Sequence, residues 1–291
     1  MQAASRSNES RIWTCSSKTI KVFITDDSKQ INATPIDQLK YNAKKTGITI
    51  DPLQFTILED YKTMRERVQA VVEQRIQPLV GIKFVFLDSP KGSDVRVGFE
   101  SNMATWSMIG RDCLRQPDSR NTMNLAWFDV GTVIHEFCHV LGMVHSENTP
   151  NGFDIDWKPS AVYGWANKTF GWSQSVTDKQ ILKKYSKGMM RGPGYDEKSI
   201  MKYFYPASFT KNNEIGMMNM SLSREDVEWL STKYPGGAET PEQFYKTVYG
   251  QSYNAEPGIS YIIKNHWFWI GILSVALIIM GILLIMKYRK K

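Results

Sequence analysis

The run His135-Glu136-Phe137-Cys138-His139-Val140-Leu141-Gly142-Met143-Val144-His145 constrains this chain more than any other feature. It spells H-E-x-x-H-x-x-G-x-x-H. On a helix, residues four apart project from one face, so the imidazoles of His135 and His139 stand one turn apart and can close on one metal ion. Gly142 permits the backbone turn that ends such a helix and brings His145 round as a third ligand. Three protein ligands leave a fourth position for water or substrate, which marks a catalytic zinc site and not a structural one. Glu136, beside the first ligand, is placed to take a proton from water that the metal acidifies. Of the four histidines in the chain, three occupy motif positions and the fourth, His266, adjoins a distant apolar run. That distribution argues against coincidence, and one catalytic Zn2+ is the expected cofactor.

The extended motif resembles that of the metzincins, zinc endopeptidases in which a third histidine follows H-E-x-x-H and a methionine turn underlies the metal. Ser199-Ile200-Met201-Lys202-Tyr203 reads S-I-M-x-Y and resembles the astacin family in particular. The resemblance implies that Met201 is the floor of the site and that Tyr203 is a hinged phenol within reach of zinc. A phenol there can donate a hydrogen bond to the oxyanion of a tetrahedral intermediate, whereas an ordinary packed aromatic is the plainer role. Trp13, Thr19–Ile24, Asp94–Phe99, Thr122–Ala126 and Leu222–Val227 extend the likeness over about residues 11 to 235. It implies an α+β, metzincin-type zincin catalytic domain: a twisted mixed sheet, the zinc helix and an irregular C-terminal subdomain. Two features depart from the astacin pattern. Ser146 follows His145 where astacins carry a glutamate, with Glu147 one place later, and the disulfides of secreted astacins have no counterpart.

Periodicity supplies the expected elements. Tyr61, Met64, Val68, Val71, Val72 and Ile76 recur at three- and four-residue steps and predict a helix that Pro78 helps to end. Gly81 to Leu87 reads as a buried strand, and Asp94 to Phe99 as a shorter strand whose alternate charges suit a sheet edge. In the metzincin plan an edge strand above the zinc holds an extended peptide by strand addition. Val95, Val97 and Gly98 are the candidate substrate-binding residues on that edge, a plain structural strand being the alternative. Val176 to Tyr185 reads as helical with Ile181, Leu182 and Tyr185 on one face. Ser223 and Asp226 form a capping pattern for a last helix that packs Val227, Trp229 and Leu230.

Residues 1–10 read as a disordered end and 11–235 as the peptidase domain, followed by a linker over 236–266. Trp267 to Met286 then gives twenty residues without a charge, long enough to span a bilayer core of about 30 Å as a transmembrane helix. Trp267 and Trp269 at one end and Tyr288 in the basic tail 287–291 suit the membrane interfaces. The net charge of +7 includes the four cations of that tail, so the remainder gives no case for nucleic acid. The expected partners are a peptide or protein substrate and the lipid bilayer.

Orientation draws on opposed signals. The basic tail favours an exoplasmic domain by the positive-inside rule. A start without an apolar signal segment, a span close to the C-terminus and three sparse cysteines favour a cytosol-facing tail anchor, which is the expectation adopted. The expected function is that of a membrane-anchored zinc endopeptidase with Glu136 as general base. The rival is a catalytically silent metzincin-fold binding or adhesion protein on a membrane surface, although a pure binder has no chemical need of Glu136.

Overall fold

The computed structural model describes residues 11–14, 19–25, 33, 35–37, 40, 41, 44, 49–150, 154–185, 196–202, 205–216 and 218–250. The expected loose end 1–10, Cys15, Tyr203, the linker beyond Gly250, the expected span 267–286 and the tail 287–291 lie outside them. Among the described residues no helix is long and apolar enough to cross a membrane.

In chain order the main elements are β1 (Thr19–Ile24), α1 (Met64–Val71), β2 (Lys83–Leu87), β3 (Val95–Gly98), β4 (Trp106–Ser107) and β5 (Met123–Asn124). The zinc-motif helix α2 (Val130–Val140), α3 (Pro159–Phe170), α4 (Arg224–Lys233) and α5 (Pro241–Tyr249) follow. The five strands form one mixed sheet in the order β2-β1-β3-β5-β4. β1 is parallel to β2 and β3, β3 is parallel to β5, and β4 alone is antiparallel, against β5.

Ile20, Val22 and Ile24 alternate into the core, as a strand's period of two requires. Thr63 and Glu66 form a capping box that starts α1, and a π turn over Val72–Ile76 continues it. Val68, Val71, Val72 and Ile76 are fully buried as the period predicts, whereas Tyr61 precedes the N-cap. These residues share one core with Val133 and Phe137 of α2 and Val227 and Leu230 of α4.

Two strand expectations exchange places. Gly81 to Leu87, expected to be buried, forms the outer strand β2, where Val85 is 40% exposed. Val95 to Phe99, expected at the substrate-holding edge, forms the central β3 instead. Val97 pairs with Ile24 on one side and with Met123 on the other, so the main chain of Val95, Val97 and Gly98 has no free edge to offer a peptide. The reason is Arg96, only 2% exposed. Its guanidinium donates to the carbonyls of Ser93 at 2.6 Å and Arg120 at 2.7 Å, with longer bonds to Gln116 and Cys113. A charge satisfied in that way can be buried, and its place in the alternation therefore did not mark solvent. Among the described residues the outer antiparallel strand is β4.

A smaller core built from Ile155, Val162, Tyr205 and Phe209 underlies the segment after the zinc motif. The helix expected over Val176–Tyr185 is shorter: Gln174–Thr177 is α-helical, Asp178–Leu182 is a π turn, and Lys183 is extended. Asn148 draws the chain away, its Nδ2 donating to the carbonyls of Ile181 and Lys183 while its own carbonyl accepts from Tyr185 N–H. The expected linker also begins later than residue 236. Thr240 and Gln243 cap α5, Phe244 is fully buried, and Tyr245 O–H donates to the Leu222 carbonyl at 2.8 Å. Apolar anchoring on one helical face thus outweighs the Gly and Pro that flank this segment.

Candidate active site

α2 begins at Asp129, whose carboxylate accepts from the Thr132 N–H at 2.6 Å and the Thr132 hydroxyl at 2.8 Å. Such an N-cap satisfies donors that the first turn leaves open. The helix ends in a Schellman turn. Gly142 takes φ +96° and donates to the His139 carbonyl, while Met143 N–H reaches back to Cys138. This reversal returns His145 to the face already bearing His135 and His139.

The three imidazoles converge. Nε2 of His145 lies 3.2 Å from Nε2 of His135 and 3.0 Å from Nε2 of His139. Nδ1 of His135 donates to the Ile200 carbonyl at 2.7 Å, and Nδ1 of His139 to the Met143 carbonyl at 2.8 Å. Placing those protons on Nδ1 turns the Nε2 lone pairs of His135 and His139 towards Nε2 of His145. Burial holds the rings neutral, pushing His135 down to about 4, His139 to about 3 and His145 well below the usual imidazole value. Three imidazole nitrogens this close can share one cation. A tetrahedral zinc at its usual distance to imidazole sets its nitrogens about 3.3 Å apart, close to the spacing observed. The donor set fits zinc, and among the described residues these three form the one His/Cys/Asp/Glu group with metal-ligand spacing.

Glu136 sits on the same helix and is 5% exposed. Its Oε2 is buried without a hydrogen-bond partner among the described residues. Desolvation alone pushes its carboxyl up to about 8. An acceptor in this condition is suited to take a proton near neutral pH.

Met201 is fully buried in the main core and follows Ile200, the residue that fixes His135. Its carbonyl accepts from the Ser146 N–H at 2.9 Å, which ties the turn to the residue after His145. The sequence expectation for Tyr203 falls outside the described residues. Val95, Val97 and Gly98 belong to the central strand and do not join the site.

Sequence reasoning missed the lattice beneath the turn. Asp226, read only as part of a helix cap, also accepts from the Ser199 hydroxyl at 2.7 Å and from Ile200 N–H at 2.8 Å. Asn219 heads an N-x-S sequon, yet its Nδ2 donates to the carbonyls of Glu197 and Ser199, both at 2.9 Å. The cap pattern at Ser223 was the signal available for Asp226; nothing local distinguished Asn219.

A family model described as Astacin, a peptidase family, matches residues 42–228, well over half of the chain. Among solved structures, that of myroilysin is similar at 26% identity and a TM-score of 0.58, covering 79% of this chain and 98% of its own. A hatching enzyme zinc-protease from the medaka Oryzias latipes, high choriolytic enzyme 1, aligns at 14% identity and a TM-score of 0.42, over 80% of this chain and 98% of its own. No curated protein matches.

Proposed function

The chain belongs to the astacin family of zinc metalloendopeptidases, and from that premise we propose that Glu136 is its general base and that an extended peptide pairs along the outer edge of β4. The observation carrying the proposal is the convergence of the Nε2 atoms of His135, His139 and His145 beside the buried carboxyl of Glu136 on the same helix. Held by His135, His139 and His145, zinc supplies the Lewis acidity that polarises a scissile carbonyl and acidifies water. Glu136 accepts the proton of the attacking water and delivers it to the leaving amine nitrogen. Its raised affinity for protons, a product of burial, lets it hold that proton near neutral pH between the two transfers. The support for β4 is topological: it is the outer, antiparallel strand next to β5, whose chain runs on into α2.

Digestion of a peptide library by the purified protein tests this reading. Cleavage should stop with a chelator, return with zinc, and fall by at least about 100-fold in Glu136→Ala, which should still bind one zinc. Undiminished cleavage by Glu136→Ala would sink the mechanism.

Membrane attachment is part of the same proposal. It is supported by the uncharged length of 267–286 and the aromatic residues at its ends. We place the domain on the cytosolic face, a reading supported by the free thiols of Cys113 and Cys138. Protease treatment of sealed vesicles should digest the domain from outside. A domain shielded in the lumen, or a glycan on Asn167, would reverse the orientation.

A further inference from the structure

We propose that Asp226 is a positioning residue for the zinc site, holding the Met201 turn so that the Ile200 carbonyl fixes the ring of His135. This rests on the zinc-peptidase reading above. Asp226 stands in the first turn of α4 and is fully buried. Its Oδ2 accepts from Ile200 N–H at 2.8 Å and from Ser223 N–H at 3.0 Å, while Oδ1 accepts from the Ser199 hydroxyl at 2.7 Å. Ser199 Oγ in turn accepts from Met201 N–H at 3.0 Å. One carboxylate therefore grips three consecutive residues, two directly and one through a hydroxyl.

Ile200 transmits that grip. Its N–H is bound by Asp226, and its carbonyl takes the Nδ1 proton of His135 at 2.7 Å. A ligating imidazole gains its orientation and basicity from the partner of its other nitrogen. For His135 that partner is a carbonyl whose position Asp226 sets. A second branch leads towards His145. Ser223 Oγ donates to Asp196 Oδ2 at 2.6 Å, and Asp196 exchanges main-chain bonds with Ser146 Oγ at 3.0 and 3.1 Å, next to the third ligand. Capping α4 needs only the bonds with Ser223. Those to Ser199 and Ile200 cross to another segment, which a cap does not explain.

The test compares zinc dissociation constants, by chelator competition on the full chain, for the wild type, Asp226→Asn, Ser199→Ala and Val227→Ala. Asn keeps the shape of Asp226 but replaces one acceptor oxygen with a donor, so zinc affinity should fall about 10- to 100-fold, the range for an outer partner of a metal ligand. At saturating zinc, kcat should fall while KM holds. Ser199→Ala should weaken zinc in the same direction by several-fold, and it carries the test if Asp226→Asn does not fold. Val227→Ala, a buried neighbour on the same helix, is the control for lost stability: its Tm should drop while its zinc affinity stays within about twofold of wild type. Wild-type zinc affinity in both Asp226→Asn and Ser199→Ala, or equal weakening in Val227→Ala at a matched Tm loss, would overturn the proposal. Failure of the underlying reading looks different, because the wild-type chain itself would then take up no zinc.

Discussion

The indole nitrogen of Trp13 donates to the carbonyl of Val140 at 2.8 Å, so a residue near the start of the chain closes the last turn of the helix that carries His135 and His139. Tyr234, following α4, does the same for Leu141 at 2.6 Å. Helix ends leave carbonyls open, and buried ones need partners from elsewhere.

Trp13→Phe should therefore lower stability by about 1–2 kcal/mol through the orphaned carbonyl. The change should appear as a lower urea midpoint at constant m-value. An unchanged midpoint would mean that solvent or another donor takes over the Val140 carbonyl.

Gly142→Ala places a side chain at φ +96°, a strain of about 1–3 kcal/mol. His145 follows that turn, so zinc affinity should fall along with stability. Gly92→Ala, at φ +74° with open space around its new Cβ, should incur comparable strain and leave zinc affinity intact. Equal zinc binding by the two variants would separate the Gly142 turn from the placement of His145.

Glu136 gives the metal-stripped protein a characteristic pH dependence. Its carboxyl is raised from 4.5 to about 8 in the folded chain, so between those values the unfolded chain binds fewer protons and stability falls as pH rises. His135 and His139 act oppositely, being lowered from 6.5 to about 4 and about 3. There the unfolded chain binds more protons, and stability is lost as pH falls below about 6.5. Thermal melts after chelation should peak near neutrality. Glu136→Gln should flatten the alkaline side of that curve and gain up to a few kcal/mol near pH 9. A wild-type slope in Glu136→Gln would assign the loss to another group.

Phe244→Ala should cost about 3–5 kcal/mol, the usual range for a fully buried phenylalanine, whereas Lys246→Ala on an exposed face of α5 should change little. Comparable chemical denaturation midpoints for the two variants would show α5 to be detached in solution.

The zinc site was legible because helical geometry fixes it locally: two histidines four apart and a glycine that reverses the chain need no knowledge of distant residues. Met201 was legible through the wording around it. The sheet was not, because strand order is non-local. Apolar β2 and charge-bearing β3 gave opposite signals from their true places, and only the carbonyls of Ser93, Cys113, Gln116 and Arg120, gathered round Arg96 by the fold, resolve the contradiction. Asp226 was half legible. Its cap is a four-residue pattern, but its bonds to Ser199 and Ile200 span more than twenty residues of sequence.

The docking of α5 has a mechanical consequence. Tyr245 and Tyr249 both fasten to Leu222, the first through its carbonyl and the second through its N–H at 3.3 Å. Leu222 immediately precedes Ser223, where the lattice beneath the metal begins. A pull on Gly250 therefore loads α5 and its two phenol bonds before tension reaches the zinc ligands. These bonds act as a fuse: in single-molecule extension from the C-terminus, α5 should peel away first and at low force, leaving the catalytic centre intact. Simultaneous rupture of α5 and the zinc site would show that the two bear load as one body.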